Sequence, residues 1–94
     1  MVVSTKIMLF ATLRKKYGVR DLTVKCDGTI RSLIENASRI LGARFLDEVY
    51  DRKLGKVRED IILMINGRNI KDLKGKIEIK DGDVISVFPP LAGG

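Results

Sequence analysis

The chain has 94 residues, 45% hydrophobic and 32% charged, with 18 Lys and Arg against 12 Asp and Glu for a net charge of +6. That length allows one small domain and excludes a multidomain enzyme, while the apolar content excludes a disordered tail. The absence of His and the single Cys exclude thiolate zinc clusters, internal disulfides and His-based acid/base or triad catalysis.

Residues 6–13 alternate, with Ile7, Leu9, Ala11 and Leu13 on one face and Met8, Phe10 and Thr12 on the other, which predicts a strand. A turn-like stretch, Lys15-Lys16-Tyr17-Gly18, leads to a second alternating run that sets Leu22, Val24 and Cys26 against Thr23 and Lys25, and the two runs suggest a hairpin. Cys26 completes that apolar set and reads as core packing. Asp27 and Gly28 break the strand. Thr29 then stands as an N-cap before Ile30, Leu33, Ile34, Ala37, Ile40 and Leu41, the spacing of an amphipathic helix, which Gly42 stops.

Phe45, Leu46 and Val49 are spaced for a further helical turn or two, and the polar residues 51–60 read as a loop. Residues 61–65 are rich in β-branched side chains and end at Asn66-Gly67, a hairpin signal, with Arg68, Asn69 and Ile70 as the short return strand. Leu73 and Ile77 pack in a connecting segment. Asp81-Gly82-Asp83 turns the chain into a last strand over 84–88, which Pro89 and Pro90 end.

This order predicts an α+β domain over residues 1–94, a mixed sheet with one main helix on one face and residues 89–94 as an extended, flexible C-terminal tail. If Ile7, Leu9 and Ala11 face the helix, parity turns Met8 and Phe10 to the opposite face, and Ile85 and Val87 facing inward turn Phe88 out likewise, an apolar patch of the kind that marks an interaction site unless loop 51–60 or Lys and Arg side chains cover it. Arg14-Lys15-Lys16 and the dispersed Lys71, Lys74, Lys76 and Lys80 are not interleaved with aromatics. They read first as solvated surface and second as the footprint of a small RNA-binding module, against which 5% aromatic content argues. No run of about 18 apolar residues is present, so no membrane partner is expected. Disulfide-free composition fits the cytoplasm. The absence of Gln beside abundant Lys, Arg and Glu resembles the bias of heat-adapted, thermophile proteins.

The tail carries the functional signal. Pro89-Pro90 forms a stiff extended strut, and Leu91-Ala92-Gly93-Gly94 follows with two residues that lack side chains. A narrow catalytic slot can approach such a backbone from all sides, and the proline pair limits the entropy lost on insertion. The chain has no phosphate-binding Gly loop, so the ATP and metal that activate a carboxylate would come from a partner enzyme, with no cofactor bound directly and no metal site.

From Ile7-Met8-Leu9-Phe10-Ala11-Thr12-Leu13-Arg14, through Asn66-Gly67 and Asp81-Gly82-Asp83, to Phe88-Pro89-Pro90-Leu91-Ala92-Gly93-Gly94, the sequence resembles the ubiquitin-like sulfur carriers typified by the small subunit of molybdopterin synthase. The resemblance implies a β-grasp fold and no self-contained active site. Gly94 would be adenylated by a ubiquitin-activating-type enzyme and converted to a thiocarboxylate, and its sulfur would pass to a pterin precursor on the synthase large subunit. In that reading Gly94 carries the chemistry, and Gly93, Ala92, Leu91, Pro90 and Pro89 thread the tail. Phe10 and Phe88 match family positions that contact partners, with Met8 beside them on the patch. Residues 43–58 are longer and more charged than in the minimal member. The same family includes ubiquitin-like modifiers that join their terminal glycine to lysines of target proteins, and a thiamine-pathway carrier, which the Pro-Pro tail disfavours. A structural domain with an incidental tail is the remaining reading.

Overall fold

The computed structural model describes residues 2–90. Strands β1 (Val3–Leu9) and β2 (Asp21–Cys26) pair antiparallel, with Ile7 opposite Leu22 and Thr5 opposite Val24. The segment between them corrects the expected strand over 6–13, because β1 ends at Leu9 and a helix, α1, spans Ala11–Tyr17. Phe10 is extended and Ala11 takes a left-handed φ of 52°, which costs an alanine about 1 kcal/mol and turns the chain out of the sheet. Arg14, Lys15 and Lys16 are good helix formers placed in the last turn, where positive charge meets the helix C-terminus. Gly18, at φ 72°, closes the helix by donating its N–H to the Arg14 carbonyl at 2.9 Å. Alternation misled at this point because Leu13 is buried from the helix just as it would be from a strand, whereas Ala11 and Thr12 are exposed.

Helix α2 (Ile30–Leu41) begins as expected, with the Thr29 hydroxyl accepting from the Ser32 N–H at 3.1 Å. It buries Leu33, Ile34, Ala37 and Ser38, and the Ser38 hydroxyl donates to the Ile34 carbonyl. Ile40, expected in the core, is 61% exposed. It lies at the margin of a stripe centred on Ile30, Ala37 and Leu41. A second short helix, α3 (Ala43–Val49), contributes the buried Phe45 and Val49. The expected loop 51–60 instead folds back as a small ribbon of β3 (Tyr50–Asp51) and β4 (Lys56–Val57). The Asp51 carboxylate accepts from the N–H groups of Lys53 and Leu54, shaping the turn, and Tyr50 and Val57 enter the core.

Strands β5 (Ile62–Ile65) and β6 (Arg68–Asn69) form the expected hairpin, with Asn66 and Gly67 at φ 51° and 84° as a type I′ turn requires. A 3₁₀ turn at Ile70–Asp72 follows, and β7 (Val84–Phe88) runs parallel to β1 and antiparallel to β5. The sheet order β2-β1-β7-β5-β6, with helices packed on one face, is the β-grasp arrangement. Thr5, Ile7, Leu9, Val24, Cys26, Leu63, Ile65, Ile85 and Val87 point into a core completed by the helices. Cys26 belongs to that core, and burial pushes its thiol pKa up. Ile79, not singled out by periodicity, is also buried. Its N–H donates to the Gly28 carbonyl at 2.8 Å, and Gly28 combines a φ of 97° with an approach so close that a Cβ would meet the Ile79 oxygen at 3.3 Å. Among the described residues no helix is long and apolar enough to cross a membrane.

Phe45 is fully buried and large, so Phe45→Ala should cost about 3–5 kcal/mol in urea unfolding. Ile40→Ala, at the exposed position, should stay within about 0.5 kcal/mol of the parent.

Candidate interaction face and tail exit

Period-two alternation places one row of side chains away from the helices. Met8 on β1, Ser86 on β7 and Met64 on β5 lie side by side across the sheet, and Ile62 lies opposite Phe88 in the next row. All are half-buried. Phe10 joins them by a different route from the one its alternation predicts. It follows β1 as the residue before α1, donates its N–H to the Val87 carbonyl at 3.2 Å, and stacks on Phe88 with ring centroids 4.4 Å apart and planes 12° apart. Arg14 donates its Nε–H to the Leu9 carbonyl at 3.0 Å, which holds its guanidinium 5.3 Å from the Phe10 centroid. The structure therefore gathers Met8, Phe10 and Phe88 on one apolar face and adds Ile62 and Met64. The same alternation that buries Leu63 and Ile65 could have found those two in the sequence.

Phe88 hands the chain directly to Pro89, which is buried, and Pro90, which is exposed. Leu91, Ala92, Gly93 and Gly94 lie outside the described residues. Beside the two prolines a groove of about 620 Å³ runs between α1 and α3, lined among others by Thr12, Lys16, Arg44, Glu48 and Arg58. The sequence names Thr12 only as a strand position and Lys16 only within a basic cluster, because α1 reads as strand and turn, and it singles out neither Arg44 and Glu48 on α3 nor Arg58 after β4. Gly18 closing a run of helix formers was the available signal.

Glu48 is the electrostatic centre of that groove. Its Oε1 accepts from the Tyr17 hydroxyl and meets Lys16 Nζ at 2.9 Å. The Tyr17 ring also packs edge-on against Phe45, with centroids 5.6 Å apart. Burial, then the hydrogen bond to Glu48 and its charge, drive the Tyr17 phenol well above its usual pKa, with Arg44 opposing. For Glu48 burial acts upward, but the hydrogen bonds from Tyr17 and Lys16 and the charges of Lys16 and Arg44 prevail and hold the carboxyl below its ordinary range. An apolar platform, an ionic groove and a chain exit meet at one end of the sheet. That arrangement suits recognition by a second protein better than chemistry by these side chains themselves.

The ThiS family model matches residues 7–94, from the last three residues of β1 through the platform and the sequence of the tail. The chain belongs to the ThiS family. This ThiS-family chain is 33% identical over 93 residues to a molybdopterin synthase sulfur carrier subunit of Anopheles gambiae, covering 98% of this chain and 93% of that one. It is 32% identical to small archaeal modifier protein 3 of Haloferax volcanii, covering 95% and 97% of the two chains. Among solved structures, small archaeal modifier protein 1 of Methanosarcina acetivorans superposes with a TM-score of 0.80 at 28% identity, over 100% of this chain and 99% of that one. The fold is thus the ubiquitin-like β-grasp, and the family is one of ubiquitin-like sulfur carriers.

A carboxyl whose pKa is lower folded than unfolded stabilises the protein fully above the ordinary glutamate value, about 4.3. That contribution is lost as pH falls through the lower folded value. Thermal melts across the acid range should show Glu48→Gln less stable than the parent at neutral pH, with the difference shrinking as pH drops below about 4.

Proposed function

We infer that this chain carries sulfur on its C-terminal residue, Gly94, as the small subunit of a molybdopterin synthase. The observation that carries this reading is the delivery of the tail. Strand β7 leads through Phe88, stacked on Phe10, and through the buried Pro89 to the segment Pro90-Leu91-Ala92-Gly93-Gly94, and the family match extends to residue 94. Likeness over nearly full length to a molybdopterin synthase sulfur carrier subunit supports the pathway.

The partner is an adenylating enzyme of the ubiquitin-activating type, which supplies the ATP site. The Gly94 carboxylate attacks the α-phosphate of ATP, forming an acyl-adenylate and releasing pyrophosphate. Sulfide, at the oxidation level of the product, then attacks the acyl carbon; a C–S bond forms, the C–O bond to AMP breaks, and loss of a proton leaves a thiocarboxylate. Gly93 keeps the backbone narrow beside the reacting carbon, while Ala92, Leu91, Pro90 and Pro89 hold it in the partner's channel. The synthase large subunit then docks on the platform of Met8, Phe10 and Phe88, where apolar burial on association supplies affinity.

A second reading is favoured by the 32% identity to small archaeal modifier protein 3. If a lysine amine rather than sulfur displaces AMP from the same adenylate, the product is an isopeptide bond to a target protein. The acceptor alone separates the two outcomes.

Mass spectrometry of the chain incubated with its adenylating enzyme, ATP and a sulfur donor should show an oxygen-to-sulfur exchange confined to the peptide ending at Gly94. Extending the chain by one alanine should abolish it, and an unchanged carboxylate in the parent would overturn the reading. Phe88→Ala should leave adenylation within a few-fold while weakening capture of the large subunit at least about tenfold, as loss of a buried aromatic anchor does. Lysine-linked adducts in cells, lost on deleting Gly93 and Gly94, would identify the modifier role.

A further inference from the structure

Strand β2 is the terminal strand of the five-stranded sheet, bonded to β1 on one side only. Backbone groups of successive residues in an antiparallel strand point alternately to its two sides. The bond from the Leu9 N–H to the Arg20 carbonyl assigns Arg20, and with it Leu22, Val24 and Cys26, to the β1 side. The N–H and C=O groups of Asp21, Thr23 and Lys25 therefore face the free edge. The side chains of these three residues are exposed and share the face turned away from the core. The strand carries neither proline nor glycine, two residues that spoil edge pairing. Among the described residues its outer groups are engaged at one point, where Asn36 Nδ2 donates to the Lys25 carbonyl at 2.7 Å. A carbonyl oxygen keeps a second lone pair for another donor.

The order acid, hydroxyl, base is self-complementary. Turned through a twofold axis at Thr23, a second copy of β2 sets Asp21 opposite Lys25 of that copy, Thr23 opposite Thr23, and Lys25 opposite Asp21. Opposite charges and Thr–Thr neighbours directly across an antiparallel pair are each worth roughly 0.2–1 kcal/mol. A slip of two residues in either direction removes both ion pairs.

We propose that β2 is a self-pairing edge through which two copies of this chain join their sheets into one. The occupant of the edge is a second copy rather than an unrelated strand, because both ion pairs of this register come from the strand's own sequence. Since β7 lies two places in from β2, the platform and tail exit stay uncovered. Antiparallel joining sends the two tails to opposite ends of the common sheet, giving a carrier with two independent ends.

Sedimentation velocity of the full chain over a concentration series tests this. The parent should show concentration-dependent dimer. Asp21→Lys and Lys25→Asp each set like charges opposite one another at both pairs and should each raise the dimer Kd at least about tenfold. The combined Asp21→Lys/Lys25→Asp variant keeps the net charge and restores opposite pairing, so it should recover the parental Kd. Circular dichroism melts confirm that each variant folds. A parent that stays monomeric, a dimer weakened by neither reversal, or a double variant that fails to recover would each overturn the proposal.

Discussion

The parallel pairing of β1 with β7 is the contact on which the rest of the arrangement depends. Parallel neighbours cannot be joined by a tight turn, so the chain between them must leave the sheet. In doing so it supplies α2, α3 and the small ribbon that cover the core face. Parallel strands also end at the same edge. Leu9 lies beside Val87, so the next residue on each side, Phe10 just after β1 and Phe88 at the end of β7, meet as a stacked pair although almost the whole sequence separates them. A strand that feeds the tail is thus held at the sheet's centre, hydrogen-bonded on both sides and buried through Ile85 and Val87.

The two faces of that sheet have different work. Apolar side chains on the inner face are almost wholly removed from water, which drives folding. On the outer face Met8, Ile62, Met64, Phe10 and Phe88 are only partly covered. Polarizable Met and flat aromatic rings suit a surface that must be stable alone and still gain by association. The ionic groove between α1 and α3 adds orientation, since its hydrogen-bonded Tyr17, Lys16 and Glu48 fix one helix against the other beside Pro89 and Pro90. Under the sulfur-carrier role proposed above, these features would present a chain end next to a surface for a partner.

Particular residues show how much of this was legible. Thr29 and Gly42 bounded α2 because capping chemistry is local, and Asn66-Gly67 announced its hairpin because only those residue types adopt left-handed backbone at little cost. Asn66 also shows the limit. Its amide donates to Asp83 and accepts from the Val84 N–H, tying the hairpin to the start of β7, and no local pattern encodes a bond to so distant a partner. The segment 10–18 differs from its alternation because Leu9, Ala11 and Leu13 fit a period of two, while Ala11 takes a left-handed conformation between neighbours tied to the sheet, Phe10 by its bond to Val87 and its stack on Phe88, and Arg14 by its bond to Leu9. Val57 and Ile79 were missed for a related reason. Val57 is a lone apolar residue among polar ones, and Ile79 alternates only with Ile77 in a segment that forms no regular strand, so each is buried by what packs against it rather than by an extended periodic stripe.

Sequence by itself determined the fold class, the inward and outward rows of β2 and β7 and of β1 as far as Leu9, and the main helix with its caps, all of which follow from period, turn chemistry and composition within a few residues. Tertiary structure alone decided which strands are neighbours. It thereby placed Phe10 on Phe88, Ile62 and Met64 beside Met8, and Lys16, Arg44 and Glu48 around the point where the chain leaves the sheet. These juxtapositions depend on burial and on hydrogen bonds between residues far apart in the chain, and such pairings exist only once the polypeptide has closed on itself.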